Sequence, residues 1–439
     1  ALYWVAETIL ANPEAALIYS DEDKITADGA TRYDPNFKSQ WNPELLLNQN
    51  CISHLGVYKT DLAKEIGGFR KGFEGAQDWD FALRFTEKVE REHIIHIPRI
   101  LYHWRAIEGS TAVDGDEKPY ALIAGLKAVQ EHCDRMAIKA EVVEHPERHY
   151  ARVKYEIPTP QPMVSMIIPT RNGLDVLSVC IDSILEKTTY QSYEIIIVDN
   201  GSDCPDTLGY LEKLQQENSN VVVLRDDSPF NYSALNNKAA AIAKGEILAL
   251  VNNDVEVITP DWLTEMVGHV IQPQNGAVGA RLWYPDDTLQ HGGVIMVGGV
   301  AGHAHKHLPK GLPGYGCRAI VSQNYSAVTA ACLLVRKEVF EQVGGLNEKD
   351  LTVAFNDIDF CLKVQEAGYF NVWTPYAELY HYESKTRGFE DTPEKQARFA
   401  KEVQYMRGRW ANVLDADPCY NPNLTMARED FSLAFERRV

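Results

Sequence analysis

The sequence predicts an α/β fold in which a mostly parallel, Rossmann-like sheet carries helices on both faces. Residues 164–168, 194–198 and 246–251 are short apolar runs, with the length and composition of strands buried on both sides of a parallel sheet. The first two runs are followed by helical segments, and the third by Asn252-Asn253-Asp254. Strands that alternate with helices in this way are typical of doubly wound sheets.

The composition is that of an ordinary globular protein and excludes some functions. The 439 residues are 45% hydrophobic and 24% charged, with a net charge of −19. This acidity, without a basic stripe, argues against a broad nucleic-acid surface. No apolar run approaches the ~20 residues that cross a bilayer, and no secretory signal pattern is present. Eight scattered cysteines without a CxxC motif predict a reducing, cytoplasmic location.

Elements of the first half follow from local patterns. We predict a helix, two short strands and an amphipathic helix at 1–12, 15–19, 94–97 and 117–136. Between the strands, 50–66 contains a further strand and helix. The stiff run Pro158 to Pro162 can join neither a helix nor an inner strand. We place the main domain boundary there.

Elements of the second half alternate more regularly. The predicted helices lie at 174–187, 206–217, 232–244, 261–271 and 337–343. The remaining predicted strands lie at 221–224, 277–282 and 369–373, and 327–335 is a further apolar run. The tail from 390 to 439 is expected to be helical to about Ala411 and then irregular.

Two parts of the chain repeat one another. HLGVYKTDLAKEIGGFR at 54–70 matches ACLLVRKEVFEQVGGLN at 331–347, and QDWDFALRF matches NDIDFCLKV. Asp78 therefore corresponds to Asp357, and His103 to His381, with separations of 25 and 24 residues (103 − 78 and 381 − 357). Such recurrence is the mark of an internal repeat.

The repeat decides how the acidic run Asp21 to Asp23 is interpreted. Aligned through the repeat, it falls on 281–283, well past Asp254. The counterpart of Asp254 would precede residue 1, so the first copy is expected to lack its nucleotide-side strands. We predict a partial domain at 1–110, a helical connector and Pro-rich linker at 111–162, a complete domain at 163–390 and a tail at 391–439.

Asp254 stands where α/β proteins bind ligands. It follows a buried strand, and open parallel sheets bind at the carboxyl ends of their strands. A hard cation that bridges nucleotide phosphates takes one or two protein oxygens and completes its shell with phosphate and water. Asp254 is a candidate for such a ligand, although Asn252-Asn253-Asp254 could also simply end a strand.

Five motifs together resemble the family 2 glycosyltransferases of the GT-A fold. They are SMIIPTRNG, EIIIVDNGS, ILALVNNDVEV, FNDIDFCLKVQEAGY and LYHYES. The resemblance covers 164 to about 390 as one full domain and 1 to about 110 as a partial one. In its details the sequence is similar to bacterial rhamnosyltransferases and other enzymes of O-antigen-type polysaccharide biosynthesis.

The resemblance assigns roles to individual residues. It implies that the nucleotide-sugar lies against Pro169, Thr170, Asn172, Asp199, Asn252 and Asn253. It also implies that Asp254 and His381 hold Mn²⁺ or Mg²⁺ on the diphosphate, and that Asp357 is the catalytic base of an inverting, metal-dependent enzyme. Asp78 and His103 would be inactive counterparts. The family often has Asp at position 252 and Glu at position 356, where this chain has Asn.

Simpler roles remain open for these side chains. Asp357 could only cap a helix, with Asp359 as a second capping candidate, and His381 could be a satisfied, partly buried histidine. His303, His305 and His307 could bind zinc or line a solvated loop. The same choice between ligand contact and structure applies to His291, Asn236, Lys238 and Trp79.

Two classes of function follow. The first is a cytoplasmic glycosyltransferase that uses dTDP-rhamnose or a UDP-sugar and a saccharide or lipid-linked acceptor, peripheral to the inner face of the plasma membrane. The second is an impaired or scaffolding module that binds saccharide or partner enzymes. A nucleotidyltransferase would need a Gly-rich basic loop, and PTRNG is too short and polar for one.

Overall fold

The computed structural model describes residues 1–107, 119–383 and 392–435. The first part of the chain contains five helices and six strands within these ranges. The helices are α1 (Leu2–Ala11), α2 (Pro43–Asn48), α3 (Thr60–Glu65), α4 (Gln77–Thr86) and α5 (Pro119–Arg135). The strands are β1 (Leu17–Ile25), β2 (Arg32–Asn36), β3 (Gly56–Tyr58), β4 (Ile94–Arg105), β5 (Ala140–Glu144) and β6 (Ala151–Tyr155).

The second part begins after the proline-rich linker. Its helices are α6 (Leu174–Lys187), α7 (Pro205–Glu217), α8 (Tyr232–Ile242), α9 (Trp262–Val270), α10 (Lys337–Gln342), α11 (Asn356–Glu366) and α12 (Pro393–Asp415). Its longer strands are β7 (Val164–Thr170), β8 (Tyr193–Asp199), β9 (Val221–Arg225), β10 (Ile247–Val251), β12 (Asn275–Trp283), β17 (Cys332–Arg336) and β18 (Phe370–His381). The shorter strands are β11 (Val255–Val257), β13 (Leu289–His291), β14 (Val294–Ile295), β15 (Gly302–His303) and β16 (Gln323–Tyr325).

A ten-stranded sheet organises the second part. Its main path runs β11-β18-β12-β17-β10-β7-β8-β9, with β13 beside β12 and β16 beside β18. The strands β10, β7, β8 and β9 are parallel to one another, whereas β17 is antiparallel to both of its neighbours. The sheet is therefore parallel on one side and mixed on the other.

Apolar side chains cover both faces of this sheet. On one face, residues such as Ile168 and Val251 pack with α6, α7 and α9. On the other, residues such as Ile167 and Leu250 pack with α8, α10, α11 and α12. Burying one such side chain contributes about 1.5–3 kcal/mol, and helices on both faces explain why the strands are apolar throughout. The predicted α/β class is confirmed.

The first part of the chain has a smaller sheet with the same local pattern. β1 is parallel to β4 and antiparallel to β2 and β3. In the second part, β12 is parallel to β18 and antiparallel to β13 and β17. The central strand has equivalent neighbours in both sheets, which supports the repeat inferred from the sequence.

The long strand β18 contains a bulge around Pro375. Gly279 pairs with Trp373 and Arg281 with Glu378, so β18 advances five residues (378 − 373) while β12 advances two (281 − 279). Proline cannot donate to a strand ladder and is tolerated at such irregularities. The sequence predicted a strand that ends at residue 373; the chain instead absorbs the proline and continues to His381.

The first sheet has the same irregularity around Pro98. Ser20 pairs with Ile97 and Glu22 with Tyr102, so β4 also advances five residues (102 − 97) while β1 advances two (22 − 20). Strand β4 likewise passes through its proline to reach the histidine near its end. The two halves thus share a structural irregularity as well as a sequence pattern.

Reciprocal polar contacts join the two parts of the chain. Asn42 Nδ2 donates to Asn324 O at 3.0 Å, and Asn324 N donates back to Asn42 Oδ1 at 2.9 Å. The backbone N–H of Glu44 donates to Asn324 Oδ1 at 3.0 Å. All three residues are buried, and buried polar groups are costly when left unpaired. These contacts therefore fix the first part against the large sheet.

Several local predictions differ from the structure. Residues 140–155 form the β5–β6 hairpin, where the sequence predicted no strand, and the acidic run Asp21 to Asp23 lies inside β1. The tail helix α12 extends to Asp415. The predicted domain boundaries at 110/111 and 390/391 lie outside the described residues. Among those residues, no helix is long and apolar enough to cross a bilayer.

Candidate active site

Asp254 and His381 meet at the carboxyl end of β10. After β10 the chain turns through Asn252 and Asn253 into β11, which pairs with the end of β18 so that Val255 lies opposite His381. The backbone N–H that follows His381 donates to Asp254 O at 2.9 Å. This register brings His381 Nε2 to 3.1 Å from Asp254 Oδ1.

The pair fits a divalent cation. Asp254 is 5% exposed, and its Oδ1 has no hydrogen-bond donor among the described residues, an unfavourable state for a buried carboxylate. Two adjacent ligands of an octahedral ion, each ~2.1 Å from it, lie ~3 Å apart, close to the 3.1 Å found here. The described residues contain no group of three His, Cys, Asp or Glu side chains that could hold a metal ion by itself. Phosphate and water would therefore supply the remaining ligands.

Asp357 lies in the first turn of α11, after Phe355 in left-handed conformation (φ 60°). Its Oδ2 accepts from Thr329 Oγ1 and Ala330 N, both at 3.1 Å, and its Oδ1 accepts from Ile358 N at 2.9 Å. Burial raises the pKa of Asp357 above the ordinary value of 3.8, although these donors oppose the shift. A carboxylate with a raised pKa is a stronger base, which suits proton abstraction.

Short backbone contacts connect the segment that carries Asp254 with Asp357. The backbone N–H of Asn252 donates to Ala331 O at 3.0 Å. The neighbouring N–H, that of Ala330, is one of the donors to Asp357. Tyr232 Oη donates to the carbonyl oxygen of Ala330 at 3.2 Å. Burial raises the pKa of Tyr232, and the nearby Asp357 and Asp254 carboxylates raise it further. The Tyr232 hydroxyl therefore lies near both carboxylates.

The nucleotide-side candidates line the neighbouring strand ends. Pro169 and Thr170 are buried at the end of β7, and Asn253 Nδ2 donates to Thr170 Oγ1 at 2.9 Å. Asn252 Nδ2 lies 3.3 Å from His381 Nε2. The structure thus joins the ends of β7, β10 and β18 through side-chain contacts.

Asp199 and Asn172 organise the loops next to these strands. Asp199 Oδ1 accepts from Ser202 N at 2.9 Å, and Asp199 Oδ2 accepts from Arg225 Nη1 at 2.6 Å. Asn172, with φ 52°, accepts through Oδ1 from the backbone N–H groups of both residues after Ser202, each at 3.1 Å. In this arrangement Asn172 braces the loop, and its nucleotide contact stays a prediction.

The histidines of β13, of β15 and of the segment after β15 do not converge on one point. His291 Nδ1 lies 2.9 Å from His303 Nδ1, and burial lowers the pKa of His303 to about 3. His305 stacks on Phe431, with ring centroids 4.1 Å apart, and His307 stacks on a tyrosine. These separate contacts favour a structural role over a shared zinc site.

The other side chains for which the sequence left both a ligand contact and a structural role open make structural contacts. Lys238 Nζ pairs with Asp226 Oδ2 at 2.5 Å, and its contact lowers the pKa of Asp226 to about 2. Asn236 is fully buried in α8. Trp79 is buried, and its Nε1 donates to a backbone carbonyl of α2 at 2.7 Å. Asp359 is not a cap: its Oδ1 accepts from Trp410 Nε1 at 2.8 Å.

Asp78 and His103, which correspond to Asp357 and His381, contact residues of the first copy. Asp78 Oδ2 accepts from Asn50 Nδ2 at 2.9 Å. His103 Nδ1 lies 2.5 Å from Asp23 Oδ1, and Arg32 Nε donates to Asp23 Oδ2 at 2.7 Å. Asp23, the last residue of the acidic run, is therefore paired within the first sheet.

The second part of the chain matches a known family. The profile described as glycosyl transferase family 2 matches residues 165–344. Residues 165–344 belong to glycosyl transferase family 2. This match, with the sheet order described above, confirms the GT-A fold expected from the sequence. Asp254 lies within the matched range, whereas Asp357 and His381 lie beyond it.

Longer bacterial proteins resemble the whole chain. An uncharacterised protein, y4gI, of Sinorhizobium fredii is 54% identical over 439 residues, which are all of this chain and 48% of that protein. The O-antigen biosynthesis protein RfbC of Myxococcus xanthus is 38% identical over 99% of this chain and 33% of its own length. The chain thus spans half or less of these relatives.

More distant relatives share part of the chain. N-acetylglucosaminyl-diphospho-decaprenol L-rhamnosyltransferase of Mycobacterium tuberculosis is 25% identical over 46% of this chain and 71% of its own. A mannosyltransferase from Pyrobaculum calidifontis, solved with GDP-Man and Mn²⁺, superposes with a TM-score of 0.42 at 17% identity, covering 60% of this chain and 72% of that one.

Sequence reasoning missed Tyr232 and Thr329, which lie next to Asp357. Thr329 was the one hydroxyl near the start of the apolar run 327–335, and a polar side chain in such a run could have signalled a buried contact. Tyr232 carried no local signal, because its contacts come from segments about a hundred residues away.

Proposed function

We propose that residues 164–383 form a metal-dependent, inverting glycosyltransferase that moves a sugar from a nucleotide-sugar to a saccharide hydroxyl. The observation that carries this proposal is that a buried, donor-free carboxylate oxygen of Asp254, beside His381, and the anchored carboxylate of Asp357 both lie near the Tyr232 hydroxyl. The Asp254–His381 pair is suited to bind a cation, and the Asp357 carboxylate is suited to accept a proton.

On the donor side, Asp254 and His381 would hold Mn²⁺ or Mg²⁺. Such an ion, when bound, supplies the Lewis acid that neutralises charge on the leaving diphosphate. The base and ribose would lie against the residues at the ends of β7, β8 and β10. These residues are Pro169, Thr170, Asn172, Asp199, Asn252 and Asn253.

On the acceptor side, Asp357 would remove the proton from the attacking hydroxyl. The three donors to its carboxylate fix the side chain, and burial raises its pKa, so it is both oriented and basic. A single base opposite the leaving group gives one displacement at the anomeric carbon. The configuration of the transferred sugar would therefore be inverted.

The names of relatives guide the choice of substrates. RfbC is an O-antigen biosynthesis protein, and the mycobacterial relative transfers L-rhamnose to an N-acetylglucosaminyl-diphospho-decaprenol. We therefore propose dTDP-rhamnose or a UDP-sugar as donor and a saccharide, free or lipid-linked, as acceptor, in the synthesis of a cell-surface polysaccharide. Peripheral contact with the membrane would follow from a lipid-linked acceptor.

We further propose that residues 1–110 are a non-catalytic partial copy of the same domain. Its central strand has the neighbours of β12, and its histidine is paired with Asp23. Its many contacts with the second part, such as the reciprocal pair of Asn42 and Asn324, favour a structural role. The scaffolding role that the sequence left open for the chain is thus proposed only for its first part.

The test is a donor panel with matched aspartate variants. Purified chain is incubated with UDP-sugars and dTDP-rhamnose, with Mn²⁺, Mg²⁺ or EDTA, and donor hydrolysis or transfer is measured. Asp357→Asn is expected to lower the rate by about 10²–10⁴. Asp78→Asn makes the same change at the equivalent position of the first copy, and we expect it to leave the rate unchanged.

An asparagine at position 357 cannot accept from all three donors, so thermal unfolding must show that the variant is folded. Full activity of folded Asp357→Asn would contradict the catalytic assignment. A rate that is equal in EDTA and in Mn²⁺ would contradict the metal. Loss of activity in Asp78→Asn alone would place the active site in the first copy.

A further inference from the structure

Gln290 is a buried polar residue next to the candidate metal pair. It lies in β13, which runs antiparallel to β12, and it is 3% exposed. Its side chain crosses to the end of β18, where it contacts His381 and Glu383. Gln290 takes no part in the glycosyl transfer proposed above.

The orientation of the Gln290 amide is set by its surroundings. Its Nε2 faces Glu383 Oε2 at 3.2 Å and the backbone oxygen of His381 at 3.4 Å. Both oxygens only accept hydrogen bonds, so they require the NH₂ end of the amide. The Gln290 oxygen therefore points the other way, and it lies 2.7 Å from His381 Nδ1.

This contact determines the proton on His381. An amide oxygen accepts only, so His381 Nδ1 must carry the hydrogen. In the neutral ring the other nitrogen, Nε2, then has a free lone pair. That lone pair is on the atom 3.1 Å from Asp254 Oδ1 and 3.3 Å from Asn252 Nδ2. Nε2 is thus ready to bind a cation at the point where the Asp254 oxygen lacks a donor.

We propose that Gln290 is a positioning residue: its buried side-chain oxygen holds His381 with Nδ1 protonated and Nε2 turned toward the Asp254 carboxylate for cation binding. This inference rests on the proposed metal-dependent function. Residues that hydrogen-bond the distal nitrogen of a metal-binding histidine fix its tautomer and ring orientation. Glu383 acts one step further out, because it orients the amide of Gln290.

The test compares Mn²⁺ binding in four proteins: wild type, Gln290→Leu, His381→Ala and the double variant. Free Mn²⁺ is measured by electron paramagnetic resonance, with Mn²⁺ alone and with Mn²⁺ plus UDP or dTDP. Leucine keeps the size of the side chain and removes the acceptor. We expect Gln290→Leu to weaken Mn²⁺ binding by about 10–100-fold, and to have no further effect once His381 is alanine.

A matched control is Gln272→Leu. Gln272 is also buried, and its side chain donates to a backbone carbonyl of α9 at 2.9 Å, away from His381. We expect its Mn²⁺ affinity to equal that of wild type. A second readout needs no metal: ¹⁵N spectra of the histidines should show His381 as the Nδ1–H tautomer in wild type and a shift toward Nε2–H in Gln290→Leu.

The outcomes separate the two proposals. If wild type binds Mn²⁺ and folded Gln290→Leu binds it equally well, the role of Gln290 is wrong while the proposed function stands. If Gln290→Leu weakens binding to the same extent in the His381→Ala background, Gln290 does not act through His381. If wild type binds no Mn²⁺ alone, with UDP or with dTDP, the metal-dependent function itself fails, and this inference fails with it.

Discussion

A buried charge network links the two parts of the chain and makes stability depend on pH. His269 in α9 is 1% exposed and lies between two carboxylates. Its Nδ1 is 3.5 Å from Glu44 Oε1 of α2, and its Nε2 is 3.5 Å from Glu265 Oε1, one helical turn earlier. Glu265 also pairs with Arg152 at 3.0 Å. Among the residues that the structure describes, only His269 brings positive charge to Glu44.

The pKa of His269 fixes the direction of the effect. Burial lowers this pKa, but Glu44 and Glu265 outweigh burial and raise it above the ordinary value of 6.5. A histidine whose pKa is higher in the folded protein stabilises it fully below the unfolded pKa. That contribution is lost as the pH rises through the folded pKa. The network should therefore stabilise most at pH 6 and least at pH 9.

We expect His269→Leu to lower the free energy of unfolding by about 3 kcal/mol at pH 6. Removing one partner of a buried ion pair costs about 3–5 kcal/mol; the lower end applies because both contacts are longer than ideal hydrogen bonds. At pH 9, where the neutral ring no longer attracts the two carboxylates, the loss should fall to about 1 kcal/mol.

The assay is urea unfolding followed by tryptophan fluorescence at pH 6 and pH 9. His149→Leu is the control, because His149 lies in the β5–β6 turn and its pair with Glu144 is about half exposed. Exposed pairs contribute about 0–1 kcal/mol, so this variant should differ little from wild type at either pH. A His269→Leu deficit that is equal at both pH values, or larger at pH 9, would refute the reasoning.

Two further predictions concern α11. Because burial raises the pKa of Asp357, the acid limb of the pH–rate profile should have its midpoint above the ordinary value of 3.8; a midpoint at or below that value, measured with any accepted donor, would contradict the assignment. Trp410→Phe removes the hydrogen bond to the buried Asp359 and should cost about 1–3 kcal/mol in urea unfolding, whereas an unchanged midpoint would mean that Asp359 has another donor.

Local patterns in the sequence predicted the strands of the parallel half well. The runs at 164–168, 194–198 and 246–251 are apolar because both faces of their sheet are covered, so composition and position agree. The β5–β6 hairpin was missed for the opposite reason: much of it is only partly buried, so its residues carry no clear apolar alternation.

The site was predictable only as far as its residues repeat or end a strand. Asp254 follows a buried run, and Asp357 and His381 recur in the first copy, so all three could be selected. Their partners could not. Gln290 and Thr329 reach the site through sheet register and helix packing between segments far apart in the chain, which no local pattern records.

The paired bulges at Pro98 and Pro375 have a consequence for the histidines beyond them. Side chains alternate between the two faces of a strand, so an odd number of inserted residues moves every later side chain to the opposite face. Each bulge inserts three residues relative to the partner strand (5 − 2). The prolines thus decide on which side of the sheet His103 and His381 emerge. Inserting two residues into either bulge would keep the histidine on its present face of the sheet. Inserting a single residue would move it to the opposite face.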